Sequence, residues 1–466
     1  MTEVILSFDT EDYTAPKSDE AILALSEILR SEGVRGCFNF VAELARTLVE
    51  RKRRDILRSL ASHEIDYHSF RHSFHPTIVE YCDTERWEEG WNRFVEEESK
   101  GIDIVRSVFG RDKLWAAVPP GNCIAAQAVY GYPALGIPIY SGSLFKATGG
   151  RGIWYCGALN LENNCYIDDL LLREGIGGVH RRLEEWKRFD RLIVCCHPNI
   201  IIYEEFWDRL NFDGANAAQW GKWRIPKERD APAIRRFYSD FRTFVQILKA
   251  DPDFAFSTYR PVWENQRGRE PRTVSQEAVP GLLKELDTYF ADPLALHARG
   301  SADRTGSCSL SQLFQAAVAI LAGEAAYRSR QERGFLEEPR GIRAPAAISR
   351  AELVKMASAL QSRSSTRAGS ESDGVDWLPA SIAGGGMAIG PRDFLEAARQ
   401  ILDGGERAHL APRPQLPDMS RFHRFDDFRL KGTWMYPKDF MDRWVTKRLR
   451  LQSWTVRTEA RTAPPR

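Results

Sequence analysis

The stretch that decides the fold is "EVILSFDTED", residues 3 to 12, in which a short and mainly apolar run leads directly into carboxylates. The run has the length of a buried β-strand. Asp9, Glu11 and Asp12 then follow at the point where such a strand would end. The stretch therefore predicts a strand with ionisable groups at its carboxyl end.

The same arrangement recurs twice along the chain. "HEIDY", residues 63 to 67, precedes His68 and His72, and "RLIVCC", residues 191 to 196, precedes His197. The carboxyl ends of parallel strands meet in one crevice of an α/β barrel or open sheet, because all the strands point the same way. We therefore expect the three ionisable clusters to lie close together.

The chain divides into two parts that differ in hydrophobic pattern. Residues 1–265 alternate strand-length apolar runs with stretches of helical spacing, which predicts an α/β fold with parallel strands and crossover helices. Residues 266–280 are polar and proline-containing, as expected of a linker. Residues 281–466 have few β-branched runs and several alanine- and leucine-rich stretches, which predict a mostly helical domain.

Composition excludes several classes of function. The net charge of +1 provides no field to attract nucleic acid or anionic lipid. No segment approaches the roughly 20 consecutive apolar residues of a membrane span. The start of the chain lacks the features of a secretion signal. The eight cysteines include no CxxC pair, which suits a reducing compartment, so we expect a cytoplasmic protein.

The residue types point to metal chemistry. His68 and His72 in H-x3-H spacing, together with one carboxylate, supply three ligands and leave a position open for water, as in catalytic zinc sites. A second carboxylate could act as a base, and His197 as a proton donor. Singly, each residue has a plainer interpretation: a turn carboxylate or a core histidine.

The stretches "ILSFDTEDY", "HEIDYHSFRH", "VPPGN" and "LIVCCHPN", in this order, resemble the motifs of the polysaccharide deacetylase (NodB-homology) family over about residues 3–262. The resemblance implies a deformed (β/α) barrel of about seven strands and a metal-dependent hydrolase that removes acyl groups, usually acetyl from amino sugars. By position it implies four roles: Asp9 as general base, His197 as general acid, and His68 and His72 as metal ligands.

The sequence departs from the family pattern in three motifs. In one of them, the Asp-Trp element that the family has after the next strand, "IPIYSGSLF" offers Ser141 and Ser143 but no aspartate. Thr10 follows Asp9, so the resemblance implies Glu11 as the third metal ligand, with Asp12 as the alternate. Ala117 stands where the family has an arginine that orients the catalytic carboxylate. Arg71 is a candidate replacement because it lies in the histidine loop.

The predicted activity is hydrolysis of a non-peptide C–N bond in an acylated carbohydrate, with Zn as the metal and Co, Ni or Mn as alternatives. Pro120, Gly121, Trp207 and His75 are the predicted substrate contacts. The alternative is a catalytically degenerate barrel that binds a glycan or a protein partner. The missing arginine favours that alternative, and the retained base, ligands and acid favour the enzyme.

Three phrases in the second half resemble one another: "SLSQLFQAAVAIL" from 309, "ISRAELVKMASAL" from 348 and "IGPRDFLEAARQIL" from 389. Each is a turn or cap followed by an apolar pair and then small residues, so the domain is possibly repeat-like. The phrase resembles the pseudomurein-binding repeat, in which such a helix start follows a short extended segment. A capped amphipathic helix is the plainer interpretation.

Overall fold

A curled, mostly parallel sheet forms the centre of the first half of the computed structural model, which describes residues 1–122, 124–146, 148–266, 273–293, 308–328, 333–367, 377–420 and 433–459. Its strands in this half are β1 (Thr2–Thr10), β2 (Cys37–Val41), β3 (Glu64–Ser69), β4 (Ala116–Ala117), β5 (Ile139–Gly142), β6 (Ile153–Tyr155), β7 (Ala158–Glu162), β8 (Cys165–Tyr166), β9 (Arg191–Cys196) and β10 (Phe254–Ser257).

The sheet curls until it returns to its first strand. β1 to β5 pair in parallel in sequence order, and β7 follows beside β5. Asn163 N still donates to Gly142 O, whereas Asn164 N donates to Ile193 O, so the chain crosses from β5 to β9 between these two residues. β8 then pairs with β9, and β9 pairs with β1. Among the described residues this gives a deformed barrel of seven parallel positions, as predicted.

The strands are apolar because they are covered on both faces. β1 is buried over almost its whole length, as expected for a parallel strand inside a layer of helices. α10 shows how the cover forms: Phe237, Phe241 and Phe244 recur at helical spacing and are buried, and Phe241 packs edge-on against Phe8.

The helices of this half connect successive strands. Their bounds are α1 (Ser18–Glu32), α2 (Ala42–Glu50), α3 (Arg54–Ser59), α4 (Ile78–Cys82), α5 (Trp87–Phe109), α6 (Ala126–Ala134), α7 (Ile167–Trp186), α8 (Pro198–Ile202), α9 (Trp207–Phe212), α10 (Ala231–Ala250) and α11 (Tyr259–Gln266). None of the helices in the described ranges has the length and apolarity needed to cross a bilayer.

The second half is helical, as predicted, and also contains short strands that the sequence did not suggest. Its helices are α12 (Ala278–Lys284), α13 (Leu286–Ala291), α14 (Leu310–Leu321), α15 (Arg350–Arg367), α16 (Pro391–Leu402) and α17 (Val445–Leu451). Its strands are β11 (Thr273–Ser275), β12 (Ala326–Arg328), β13 (Ala346–Ser349), β14 (Ile382–Gly384), β15 (Met387–Ile389), β16 (Arg407–Leu410) and β17 (Arg457–Thr458).

The three similar phrases begin helices α14, α15 and α16 with the same hydrogen bond. In each, the side chain of the third residue of the helix accepts a hydrogen bond from the backbone N–H of the residue that caps the helix. The pairs are Ser309 with Gln312, Ser349 with Glu352, and Gly390 with Asp393. The second and third helices also follow short strands, β13 and β15. The resemblance to pseudomurein-binding repeats stays a prediction.

The segment that carries α17 and β17 packs on the barrel half. β17 pairs antiparallel with β6 and extends the sheet. Tyr155 Oη donates to Leu449 O at 2.6 Å, and Arg191 Nη1 lies 3.3 Å from Glu459 Oε1. Buried side chains from beyond residue 418 belong to the barrel's own core: Met419, Met435, Tyr436, Val445, Leu449 and Val456.

The division into residues 1–265, 266–280 and 281–466 stays a prediction, and residues 267–272 of its linker lie outside the described residues. The contacts of β17 and α17 nevertheless give a reason to expect that the barrel depends on the end of the chain.

We predict that a chain ending at Phe440 is less stable than a control chain ending at Glu459 by more than about 5 kcal/mol, since burial of each large apolar side chain contributes roughly 1.5–3 kcal/mol. The buried side chains removed are Val445, Leu449, Leu451, Trp454 and Val456. Urea unfolding followed by circular dichroism measures the difference. Equal midpoints in the two chains would support a barrel that folds without this segment.

Candidate active site

Three side chains from the carboxyl ends of β1 and β3 converge in the barrel. Glu11 Oε2 lies 3.3 Å from His68 Nε2 and 3.0 Å from His72 Nε2. All three side chains are buried. β1 and β3 both pair with β2 in parallel. Their carboxyl ends therefore lie at the same end of the sheet, as expected from the sequence.

The loop after β3 turns His72 back towards His68. His72 has a φ of 53°, a left-handed conformation that non-glycine residues rarely adopt. Its backbone N–H donates to Ser69 Oγ at 2.9 Å, which holds the turn. The two imidazole centroids lie 5.0 Å apart as a result.

Of the two candidate third ligands, Glu11 joins the histidines and Asp12 does not. Asp12 Oδ1 accepts hydrogen bonds from the backbone N–H groups of Thr14 at 2.9 Å and Ala15 at 3.0 Å. Burial raises the pKa of Asp12 to about 6, although these hydrogen bonds act to lower it. Asp12 therefore holds the turn that follows β1.

The donor set fits a divalent metal ion. Two ligand atoms bound at about 2.1 Å to one tetrahedral ion are roughly 3.4 Å apart, close to the separations of Glu11 from the two imidazoles. The three ligand atoms all lie within 4.8 Å of one another. Burial raises the pKa of Glu11, but the charge of His72 and hydrogen bonds with both imidazoles outweigh it and hold that pKa well below its ordinary value.

Further polar groups hydrogen-bond to the atoms of Glu11 and His72 that face away from their shared contact. Trp207 Nε1 donates to Glu11 Oε1 at 3.2 Å. His72 Nδ1 lies 2.6 Å from Ser73 Oγ, which donates to Asp208 Oδ2 at 2.6 Å. Since the Ser73 hydroxyl has one hydrogen and gives it to Asp208, it accepts from His72 Nδ1, so Nε2 is the ring nitrogen that faces Glu11.

Trp207, a predicted substrate contact, is turned inward. Its side chain is 0% exposed and packs edge-on against Tyr13 at 4.7 Å. Its indole N–H orients the Glu11 carboxylate. The sequence could not distinguish an inward-facing aromatic from an outward-facing one, and contact of Trp207 with substrate stays a prediction.

Asp9 lies beside the triad of Glu11, His68 and His72 and is contacted by Asn39, Cys195 and His197. Asn39 Nδ2 donates to Asp9 Oδ1 at 3.0 Å, and Cys195 Sγ lies 3.5 Å from Asp9 Oδ2. Asn39 is the register partner of Asp9 across the β1–β2 pair. His197 Nε2 lies 3.7 Å from the same Oδ2.

Neither Ala117 nor Arg71 supplies the expected guanidinium. Ala117 is buried in β4. Arg71 Nε lies 3.4 Å from Glu43 Oε1, and its guanidinium stacks 4.4 Å over the Phe70 ring. The proposed replacement by Arg71 is therefore wrong, and Asn39 occupies the place beside the carboxylate.

His197 is paired with a carboxylate that the sequence analysis missed. Its Nδ1 lies 2.8 Å from Asp168 Oδ2, and Tyr166 lies parallel to its ring. Burial alone would lower the pKa of His197, but the charge of Asp168 and its hydrogen bond raise it to about 10. Asp168 follows the two-residue strand β8, so its strand-then-carboxylate signal was too short to be recognised.

The remaining predicted substrate contacts, His75, Pro120 and Gly121, follow β3 and β4. His75 Nδ1 lies 2.5 Å from Glu80 Oε2, and its Nε2 lies 3.2 Å from Phe212 O, so both ring nitrogens contact groups of α4 and α9. Pro120 is buried, and Gly121 has a φ of 51°. A side chain at Gly121 would collide with Met435 Sδ, which comes from the second half of the chain.

A second acidic cluster, Cys37 with Glu64 and Asp66, lies at the opposite end of the strands. Its carboxylates are already used by backbone donors: Glu64 caps the start of α11 at Tyr259 N, and Asp66 accepts Trp115 N. This cluster ties the ends of β3 and α11 together.

The sequence matches no protein-family model and no curated protein. The structure is similar to a mutant, with restored enzymatic activity, of a CE4 family pseudoenzyme from Bacillus anthracis, at 11% identity and a TM-score of 0.32, covering 56% of this chain and 66% of that one.

It is also similar to a family 4 acetyl xylan esterase from Clostridium thermocellum in complex with a cobalt ion, at 13% identity and a TM-score of 0.32, covering 57% of this chain and 92% of that one. A third match is the Xyl-CE4 domain of a multidomain xylanase from the hindgut metagenome of Trinervitermes trinervoides, at 13% identity and a TM-score of 0.32, covering 57% and 90%.

We predict that Asp168→Asn lowers the pKa of His197 from about 10 towards its ordinary value, because the carboxylate charge is lost. A raised histidine pKa stabilises the folded protein fully below about pH 6.5, and that contribution is lost as the pH rises through the folded-state pKa. The variant should therefore lose stability mainly at and below neutral pH.

Imidazole NMR titration measures this shift directly. Asp169→Asn is the matched control, because Asp169 is exposed on the same helical turn and pairs with Arg173. The same His197 pKa in both variants would contradict the assignment.

Proposed function

We propose that the protein is a metal-dependent hydrolase that removes an N-acetyl or other acyl group from an amino sugar or a related amide. The observation that carries the proposal is the meeting of Glu11, His68 and His72 with Asp9 and His197 at one end of the barrel. A structural zinc site is usually closed by four protein ligands, whereas these three leave a position open. The adjoining carboxylate and imidazole supply a base and an acid as well.

The ligand set of one carboxylate and two imidazoles suits Zn, with Co, Ni or Mn as alternatives. The chemistry supplied by a divalent ion bound there is polarisation of the acyl carbonyl and a lower pKa for water, which are the two requirements of amide hydrolysis.

Asp9 is suited to accept the proton of the attacking water. Asn39 fixes one carboxylate oxygen, and the Cys195 thiol and His197 Nε2 lie 3.5 and 3.7 Å from the other, so the group is oriented within reach of the proposed proton donor.

His197 is suited to protonate the departing amine. Its raised pKa keeps the imidazole charged at neutral pH, and Asp168 binds Nδ1 so that Nε2 points to the site. An amine leaves as a neutral molecule only if it receives a proton as the C–N bond breaks.

The substrate side of the proposal is an acylated carbohydrate, with no role for nucleic acid because the net charge is +1. The proposal also places the protein in the cytoplasm. The seven cysteines in the described ranges are all free thiols, which supports a reducing compartment.

The second candidate is a degenerate barrel that binds a glycan or a protein. Ala117 favours it, because the arginine implied by the family resemblance is absent. The intact charge pair of His197 with Asp168 argues against it, since a binding module has no need of a buried proton donor.

We predict that His68→Ala and His72→Ala each abolish retention of bound metal, because one of three protein ligands is lost. Asp9→Asn should retain about one ion per chain while turnover falls roughly 100- to 10,000-fold, the usual contribution of a general base. Elemental analysis after dialysis and a deacetylation assay measure the two effects.

The matched control is His75→Ala, which removes an imidazole from the same loop without touching the triad and should keep its metal. Unchanged metal content in both ligand variants would refute the enzyme proposal. Full glycan binding by Asp9→Asn, with no turnover by the wild type, would favour the second candidate.

A further inference from the structure

We infer that Trp434, a residue of the second half of the chain, is a positioning residue for the His72 ligand of the barrel. The inference rests on the proposed function in one respect, namely that His72 is a metal ligand. The contacts of Trp434 do not depend on that function. Trp434 Nε1 donates to Asp208 Oδ2 at 2.7 Å. That oxygen also accepts the Ser73 hydroxyl, which in turn binds His72 Nδ1.

The hydrogen bonds from Trp434 through Asp208 and Ser73 to His72 form a relay. The relay has few alternative partners because Asp208 is buried. Its Oδ1 accepts the backbone N–H of Arg209 at 2.8 Å, and its Oδ2 receives both Ser73 and Trp434. His72 Nδ1 itself lies 3.6 Å from Oδ2, just beyond a direct hydrogen bond. With the indole N–H removed, Oδ2 would keep only one donor and could turn towards His72, which would displace Ser73 and rotate the imidazole.

The segment that carries Trp434 is anchored on the barrel loops. Gly214 N donates to Trp434 O at 2.7 Å, and Thr77 Oγ1 lies 3.5 Å from Met435 O. Met435 also packs on Gly121, as described above. The short 3₁₀ turn Thr433–Met435 is therefore held between the loops that follow β3, β4 and β9.

Trp434 also lies behind the acid side of the site. Its ring is 6.2 Å from the Phe206 ring, and Phe206 packs edge-on against His197 at 5.1 Å. One indole of the second half thus contacts groups adjoining both His72 and His197. Groups that hold a metal-binding histidine fix the orientation of its ring. Their loss typically changes the metal affinity about 10- to 100-fold.

The test uses the full chain carrying Trp434→Phe, which retains an aromatic ring against Phe206 but removes the N–H donor together with part of the indole. Trp444→Phe is the matched control, since Trp444 is a half-buried tryptophan of the same half that contacts Lys447 and Arg448 instead. Circular dichroism establishes that each variant is folded.

The first readout is NMR of the ¹⁵N-histidine-labelled protein without metal. A slowly exchanging Nδ1–H signal, assigned to His72 by its loss in His72→Ala, should be present in the wild type and in Trp444→Phe. In Trp434→Phe we expect it to exchange faster or disappear. Trp434→His, which restores a ring N–H, should recover it. Loss of the signal in Trp434→His as well would assign the effect to packing and overturn the relay.

The second readout is titration with Co²⁺, followed by its visible absorption. We expect Trp434→Phe to bind Co²⁺ about tenfold more weakly than the wild type, with a changed spectrum, and Trp444→Phe to be unchanged. Identical NMR signals and affinities in Trp434→Phe and the wild type would overturn the inference. A wild type that binds no Co²⁺ would refute the metal proposal, and the NMR result would still decide the role of Trp434.

Discussion

The carboxylate of Glu11 is buried between two imidazoles, and the surrounding structure depends on keeping it there. A buried charge is costly unless every part of it is paired. Glu11 Oε2 faces His68 and His72, and Oε1 accepts the indole N–H of Trp207. From His72 the polar network extends outward through Ser73 to Asp208. Hydrogen bonds of this kind fix the orientation of the side chains they join, as a preorganised site requires.

Much of this end of the barrel could be predicted from short-range sequence signals. The apolar run of β1 ends directly at Asp9, and β3 ends at the first histidine of an H-x3-H pair. Parallel pairing on β2 then requires both ends to lie on one side. The choice between Glu11 and Asp12 could not be made from spacing, because it depends on which carboxylate the following turn uses.

The groups that support the site were not predictable, for two physical reasons. Asn39 is an ordinary strand residue until β2 is placed beside β1, and its role comes from register alone. Asp208 and Trp434 are brought together by packing between distant parts of the chain. No periodicity marks such residues, because their function depends on one contact and not on a repeated face. The same reason explains why the buried orientation of Trp207 was not predicted.

The pairing of β17 with β6 has a consequence for synthesis. Strand β10 ends at Ser257, whereas β17 begins at Arg457, so the chain between them takes roughly 10–40 s to be made at about 5–20 residues per second. During that time the outer edge of β6 has no strand beside it, and unpaired edges recruit other chains. The nascent barrel is therefore exposed to aggregation until its last strand emerges from the ribosome, and slower translation of the second half would lengthen that exposure.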